Sequence, residues 1–581
     1  MALSREQVVE LVLRRPWLTT TVLVALSWLV VGPWGDFSLN DDWTYAHLAK
    51  RIAATNEVKI DVPIAPNAVG QALLGAAWVK LFGFNHMHLR LLTFLLSTLG
   101  LWALDRLLSV ATKDARVRLA ASLLLAFNPI YYYSTASFMN ELYGWVPPLV
   151  GAVLWAWDRQ RQDAAGPDRA VSPWMPLAAG FIIGMGFWTR QFGVLVYPAL
   201  VGSTVLSLAV ARRWKALVRA TPWIALGVVV LAGAVWGYFQ WAKATGNYRP
   251  EFAVRITNLA RIDANNWVMQ SGSVLVYVTL FFLPFLALFP VTPVRRLAVL
   301  GVAFAVLGFM ARARFQAQAP SDFWIGPIWS HKVFPWVVNI IWNAGLGPIT
   351  LDDGFFYDAA KPTWPKGVWQ TIELVGVLGT LLWAAMATAG WRLFRSKPGA
   401  AAEVPVFGTL LAVGCVPAII QSHQNEMVDR YYLPHLLGMA VAVPALLGQL
   451  RDEGLASPRW RLGLAAAMGV ALAAFSVGGA HDQFRWNEAR WALIDKAMQS
   501  GGTRVTVQGG WEVNCWFRAE GYSPQDFACE GGCGCAYNGF CCVDDRWRIG
   551  MSVFQGYSAV EQIQPNYWMA KGPPVILSRR R

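Results

Sequence analysis

Residues 16–51 read PWLTTTVLVALSWLVVGPWGDFSLNDDWTYAHLAKR. An apolar run, roughly residues 17–35, is followed at once by two neighbouring carboxylates, Asp41 and Asp42. The run is long enough to span a bilayer and lacks the small-residue cleavage pattern of a signal peptide, so it reads as a retained helix. A carboxylate pair at its outlet is either a helix cap standing in water or the working end of a site. Asn40 as cap, with acids in the first turn of the next helix, would satisfy the local sequence without any chemistry.

Working outward, the composition is that of a membrane protein. Of 581 residues, 55% are hydrophobic and only 14% charged, against about 25% charged in soluble domains. The net charge of +14 does not point to nucleic acid, because Lys and Arg gather in short loops between apolar runs: LVLRRPW, TKDARVR, DRQRQ, ARRWKALVR, PVRR, RLFRSK and SPRWRL. The positive-inside rule places those loops in the cytoplasm. About thirteen spans are expected, starting near Trp17, Leu89, Val117, Leu142, Trp174, Phe192, Pro222, Gly272, Leu297, Gly367, Val404, Tyr432 and Arg461. The N-terminus is then inside and the C-terminus outside. Long outside connections fall near residues 36–88, 242–271 and 313–366. The expected fold is an all-α polytopic membrane domain over residues 1–480, with a periplasmic segment at 481–581. No internal repeat is visible, which weighs against a repeat-built transporter.

Two outside loops carry amphipathic patterns. In DDWTYAHLAKRIAA, Tyr45, Leu48, Ala49 and Ile52 share a face; in FAVRITNLARIDANNW, Phe252, Ile256 and Leu259 do. Both suit helices lying in the membrane interface, or helices packed on their own loops. The terminal segment holds Cys515, Cys529, Cys533, Cys535, Cys541 and Cys542. Their spacing lacks the paired C-x2-C of a structural zinc site, and six cysteines on an outer face point to disulfides whose pairing the spacing does not decide. Cys415 sits in an apolar span as a small packing residue.

Further ionisable residues recur at matching depth. YYYSTASFMNELYGWVPP brings Glu141 to the outer end of a span, GFWTRQFGVLVYP brings Arg190 and Gln191 to an outer turn, and NEMVDRYYLPHLLG brings Arg430 to the outer start of another span. Each alone has a plain explanation: an interfacial acid, a snorkelling arginine, a partner for Asp429. Several on one face suggest a shared polar cavity. Arginines would hold a lipid-linked phosphate and the charge that grows as it leaves, while a carboxylate takes the proton of an attacking hydroxyl. No Walker-type loop or Rossmann fingerprint is present.

At these residues the chain resembles the GT-C membrane glycosyltransferases of the protein O-mannosyltransferase and lipid A aminoarabinose transferase group, over roughly residues 15–480. DDWTYA is similar to the family's Asp-Glu pair followed by Tyr, with Asp42 in place of Glu and Tyr45 retained. WVKLFGFNHMHLR resembles the lead into the second span, and NPIYYYSTASFMNELYG the junction where a second acid stands, here Glu141. TRQFG and DRYYLP look like later signatures. The resemblance implies inverting transfer from a polyprenyl-phosphate sugar on the periplasmic side of a bacterial inner membrane, to a lipid, glycan or protein hydroxyl. Asp41 is then the base, with Asp42 and Glu141 supporting it or holding a divalent metal ion, which the family uses variably; no other cofactor is expected. Tyr45, Arg190, Gln191, Arg430 and Tyr431 are the expected substrate-binding residues. Where relatives carry Lys-Pro-Pro-Leu or His-Pro-Pro-Leu, this chain reads PNAVGQALLG, so that phosphate contact is missing and the aminoarabinose specificity does not transfer. The alternatives are a ligase or polymerase using a diphosphate-linked glycan, and a non-enzymatic flippase of such lipids.

Overall fold

Proline and glycine delimit the first long helix, and the same logic repeats down the chain. The computed structural model describes residues 4–39, 41–60, 67–166, 174–249, 264–289, 366–422, 429–454, 457–519, 543–569 and 573–581. Helix α1 (Arg5–Arg14) opens on a Ser4–Gln7 capping box, which satisfies two otherwise orphaned amides. Helix α2 (Pro16–Val31) begins with Pro and closes at Gly32, whose φ of 62° lets its N–H reach the Trp28 carbonyl. There follow α3 (Asp42–Thr55), α4 (Val69–Phe82), α5 (His86–Ala111), α6 (Ala115–Ala126), α7 (Pro129–Thr135), α8 (Asn140–Ala164) and α9 (Trp174–Gly186). A 3-10 turn, Gln191–Leu195, leads into α10 (Val196–Val210); then come α11 (Trp214–Ala244), α12 (Ala264–Leu288), α13 (Lys366–Ser396) and α14 (Ala400–Ser422). A second 3-10 turn, Asp429–Tyr432, enters α15 (Leu433–Asp452), followed by α16 (Arg459–Gln499) and α17 (Trp511–Ala519).

Among the described residues six helices are long and apolar enough to cross a membrane, and five shorter ones are also apolar. Every expected span start falls at or inside a helix except the one near Leu297, which lies outside the described residues, as does the pattern at 252–263. Helix α15 is the buried axis of the bundle. Helix α14 approaches it so closely at Gly408 and Gly438 that a Cβ on either would meet the other helix's backbone, the small-residue contact that lets apolar helices pack in lipid. Helix α11 is peripheral and presents Val228, Val229 and Trp236 outward, a face fit for acyl chains.

Among the described residues, several of the basic stretches lie together at one end, while PVRR (293–296) lies outside the described residues. There Arg159 grips Glu403, with Nη2 2.7 Å from Oε1. Asp105 pairs with Arg106 at 2.8 Å and Arg118 at 3.0 Å, and Arg451 with Asp114 at 3.3 Å. The acids Asp41 and Glu141 belong to the other end.

Two expectations need correction. The apolar face of α3 is buried in protein: Trp43, Tyr45, Ala46, Leu48, Ala49 and Ile52 pack in one core with α4, Phe138 and Trp516, so that face does not lie in lipid. The chain is also not all-α. After residue 500 it builds a four-stranded sheet from β1 (Val507–Gln508), β2 (Trp547–Gly550), β3 (Tyr557–Ile563) and β4 (Val575–Arg580), in the order β1-β2-β4-β3. β1 is parallel to β2, and the other two pairings are antiparallel. Its inner face, Trp547, Ile549, Val575 and Leu577, closes on Trp486, Leu493, Ile494 and Ala497 of α16. Helix α16 therefore runs unbroken from the bundle into the terminal segment, and a boundary at residue 480 would cut it. Strands of two to seven residues carry too little alternation to stand out beside long apolar runs.

Candidate active site

The path from α2 to α3 is tied down before it reaches the acids. Arg90, fully buried on α5, donates to the carbonyls of Pro33 and Gly35, each at 2.9 Å, and of Phe37. Asp36 accepts from the His86 amide at 2.8 Å and lies 2.7 Å from its Nδ1. Half-burial pushes the Asp36 carboxyl up, but its hydrogen bonds to His86 outweigh this and hold it below the usual aspartate range. Arg90 and Asp36 together aim the chain at α3.

The two neighbouring acids then diverge. Asp41 occupies the cap position of α3, yet its side chain makes no capping bond; its carbonyl takes the Thr44 amide at 3.0 Å and hydroxyl at 2.9 Å. Its carboxylate instead pairs with Arg430. Asp42 turns the other way, accepting the Leu39 amide at 2.9 Å. It has Arg90, Tyr133, Arg490 and Glu512 as electrostatic neighbours. Asn40, the expected cap, lies outside the described residues.

Glu141, on the first turn of α8, is 1% exposed. Its Oε1 lies 3.0 Å from Arg190 Nη1 and 3.4 Å from Arg430 Nε, while Oε2 has no hydrogen-bond partner among the described residues. Arg190 follows α9 in extended backbone and also donates to Asn140 Oδ1 at 2.5 Å. Its stem crosses Gly144, where a Cβ would collide with it. The Tyr431 ring lies within cation–π range of both guanidinium groups, 5.1 Å from Arg190 and 5.5 Å from Arg430. Tyr45 is buried beside all four charges; burial first, and the neighbouring Asp41 and Glu141 next, push its phenol up, so it stays protonated.

Asp41, Glu141, Tyr45, Arg190, Arg430 and Tyr431 thus form one cluster, drawn from α3, α8, the turn after α9 and the entry to α15. Gln191 is half-buried at the start of its 3-10 turn, one residue from Arg190. Asn140 is a member that sequence reasoning left unassigned; it precedes Glu141 directly, which was the available signal. Two acids balance two arginines, so the cluster is neutral as it stands. The donor set fits a metal ion poorly. Arg430 already fills the space between Asp41 and Glu141, Asp42 faces elsewhere, and no group of three or more His, Cys, Asp or Glu gathers among the described residues.

This arrangement defines a class: a multi-helix membrane protein with an acid–arginine cluster at one end of its bundle. Residues 67–239 match the family described as dolichyl-phosphate-mannose-protein mannosyltransferase, a GT-C family, and the GT-C membrane glycosyltransferase resemblance stands on that match. The matched stretch includes Glu141 and Arg190, while Asp41 and Arg430 lie outside it. Among solved structures, the chain aligns with ArnT from Cupriavidus metallidurans in the apo state, at 14% identity over 97% of each chain and a TM-score of 0.38. It aligns with the same protein bound to undecaprenyl phosphate at 13% identity, 97% of each chain and 0.39. A third is the oligosaccharyltransferase AglB from Archaeoglobus fulgidus, in complex with an inhibitory peptide and a dolichol-phosphate. That match has 12% identity over 87% of this chain and 63% of that one, with a TM-score of 0.41. No residue is carried across at these scores. Comparison with curated protein sequences gave no match.

Proposed function

We propose that the chain is a glycosyltransferase that moves a sugar from a polyprenyl-phosphate donor to a hydroxyl of a lipid, glycan or protein, at the periplasmic face of a bacterial inner membrane. The observation that carries this is the sharing of Arg430 between Asp41 and Glu141, with Arg190 on the same Glu141 oxygen. Without donor, the arginines neutralise the acids. An arriving phosphate monoester competes for the guanidinium groups, which bind its oxygens in planar, bidentate geometry. Once Arg430 turns to the phosphate, Asp41 is released to act as base.

The step then balances simply. Asp41 takes the acceptor hydroxyl proton, the oxygen attacks the anomeric carbon from the side opposite the phosphate, and the carbon–oxygen bond to phosphate breaks. The electron pair leaves on the polyprenyl phosphate, whose growing charge Arg430 and Arg190 stabilise. The configuration inverts. Glu141 and Asn140 keep Arg190 in place, Tyr431 offers its ring to both guanidinium groups, and Tyr45 stands protonated beside Asp41. A divalent ion has no place in this scheme. The match to a dolichyl-phosphate-mannose-protein mannosyltransferase family over residues 67–239 supports the donor class. The terminal cysteines are read as a disulfide framework from their even number on an outer face; Cys529, Cys533, Cys535, Cys541 and Cys542 lie outside the described residues.

Asp41→Asn tests the proposal. Mass spectrometry of envelope glycans from cells with the parent chain should reveal a sugar-sized increment that is absent with Asp41→Asn at equal membrane abundance. An increment of undiminished size and amount in that variant removes Asp41 as base. Transfer from a diphosphate-linked donor but not a monophosphate-linked one would replace the proposed donor.

A further inference from the structure

The stretch NAVGQ, residues 67–71 at the entry to α4, carries no charge and takes no part in the proposed transfer. Its polar side chains are nonetheless out of water: Asn67 is 1% exposed and Gln71 0%. Groups buried so deeply need partners, and theirs are backbone carbonyls on the two turns that lead to Arg190 and Glu141. Asn67 Nδ2 donates to the Phe187 carbonyl at 2.7 Å. The Gly70 amide donates to the Trp188 carbonyl at 2.9 Å. Gln71 Nε2 donates to the Phe138 carbonyl at 2.8 Å.

Helix ends explain why these groups meet. Helix α4 opens on Ala68, whose side chain makes no cap, so the Gly70 amide has no partner inside its own helix. Helix α9 ends at Gly186, and the amides of Phe187, Trp188, Thr189 and Arg190 close back on the carbonyls of Gly184, Met185 and Gly186. The next two carbonyls, those of Phe187 and Trp188, are taken by α4 instead. Two close approaches fix the same contacts sterically. A Cβ on Gly70 would stand 2.5 Å from Thr189 Oγ1, and one on Gly75 would stand 2.7 Å from the Phe138 ring. Phe187 precedes Arg190 by three residues and Phe138 precedes Glu141 by three. One turn of helix therefore grips the backbone just ahead of two charges whose side chains stand 3.0 Å apart.

We infer that Asn67 and Gln71 are positioning residues: with Gly70 they make the first turn of α4 a brace between the two turns, so that Arg190 meets Glu141 and the donor phosphate at a fixed place. Both act through the backbone leading to a charge, not on the substrate. The inference rests on Arg190 binding the donor phosphate.

The test uses the full chain with three readouts: the thermal midpoint in detergent, the affinity of purified protein for undecaprenyl phosphate, and the rate of envelope-glycan modification per inserted molecule. Asn67→Leu and Gln71→Met keep the side-chain shape and lose the donor. Each should lower the midpoint and also slow modification roughly ten- to a hundredfold, the scale of a small misplacement at a reacting centre. Asn67→Leu should weaken undecaprenyl phosphate binding roughly tenfold, about what one misaligned charged hydrogen bond is worth. In an Arg190→Lys background, Asn67→Leu should cost little further, because the group it positions is already altered; a residue with only a packing role would subtract its full loss again. Gly70→Ala disturbs the same contact with every donor left in place and should slow modification to a similar degree. Adding Thr189→Ala should restore most of the rate, since the new methyl then faces only the Trp188 carbonyl at 3.7 Å and the residue 189 Cβ at 3.8 Å.

Ser476 is the control, a buried hydroxyl of α16 that donates to the Phe127 carbonyl at 2.6 Å. Ser476→Ala should lower the midpoint and leave the rate per inserted molecule near that of the parent. Equal slowing by Ser476→Ala would reduce the effect to general loosening and overturn the inference. So would parental rates in Asn67→Leu and Gln71→Met, full additivity with Arg190→Lys, or a Gly70→Ala loss that Thr189→Ala does not relieve. If Arg190→Lys itself binds and transfers like the parent, the phosphate role of Arg190 falls; if it is impaired while Asn67→Leu and Gln71→Met are not, only the positioning role falls.

Discussion

Arg430 is the residue whose replacement separates charge from geometry. One guanidinium serves two carboxylates: Nη2 contacts Asp41, and Nε stands 3.4 Å from Glu141. At an effective dielectric near 20, a pair at that distance attracts by about 5 kcal/mol before desolvation is subtracted. Stranding a buried partner usually costs about 3–5 kcal/mol. The loss here belongs at or below the lower end, because the Asp41 side chain is 23% exposed and can be hydrated, while Glu141 keeps Arg190 at 3.0 Å. Arg430→Gln should therefore cost roughly 2–3 kcal/mol of stability, visible as a lower thermal midpoint in detergent. Arg430→Lys retains the charge but offers one compact ammonium, which cannot span both acids or fork onto a phosphate. It should recover most of the stability and little of the transfer, leaving the rate down by about a hundred- to a thousandfold, with weakened undecaprenyl phosphate binding. Scanning fluorimetry alongside the binding and glycan assays reads both quantities. An Arg430→Lys chain that binds and transfers like the parent would show that a point charge suffices, and the bridging geometry would lose its meaning.

Other outcomes follow from single contacts. Gly144→Ala inserts a Cβ against the Arg190 stem; it should destabilise by about 1–3 kcal/mol and slow transfer by displacing Arg190, whereas Gly→Ala at Gly233, which meets nothing within 4 Å, should do neither. Glu403→Ala leaves Arg159 uncompensated at the far end of the bundle, where Thr204 also donates to that carboxylate at 3.0 Å. It should cost about 3–5 kcal/mol and reduce the amount of folded protein without changing the rate per folded molecule. The hold of Asp36 on His86 should depend on acidity. Its folded pKa lies below the unfolded value, so its contribution is present above the unfolded aspartate pKa and is lost as pH falls through the folded one. Hydrogen exchange across residues 33–42 should accelerate only in that acid window, and Asp36→Asn should abolish the dependence.

What could be read without coordinates was what apolar length and local composition determine. A run such as 17–31 partitions into lipid whatever surrounds it, so helix positions were legible almost throughout the described residues, where several basic stretches also gather at one end. The acids and arginines of the cluster were also visible as costly residues at span ends, because the penalty for a charge near lipid is paid locally. The partnerships were not. Nothing in NDDWTY reveals that Asp41 and Asp42 diverge, since Asp41 pairs with Arg430 from the entry to α15 while Asp42 turns back to the Leu39 amide. The apolar face of α3 looked better suited to the membrane interface than to protein, and only packing against α4 and Trp516 decided it the other way. The terminal sheet escaped because short strands acquire their identity from pairing and from burial on α16, which are contacts between residues distant in sequence. Tertiary structure thus decided which charge meets which, for the physical reason that ion pairing falls off over a few ångströms while sequence distance says little about separation in space.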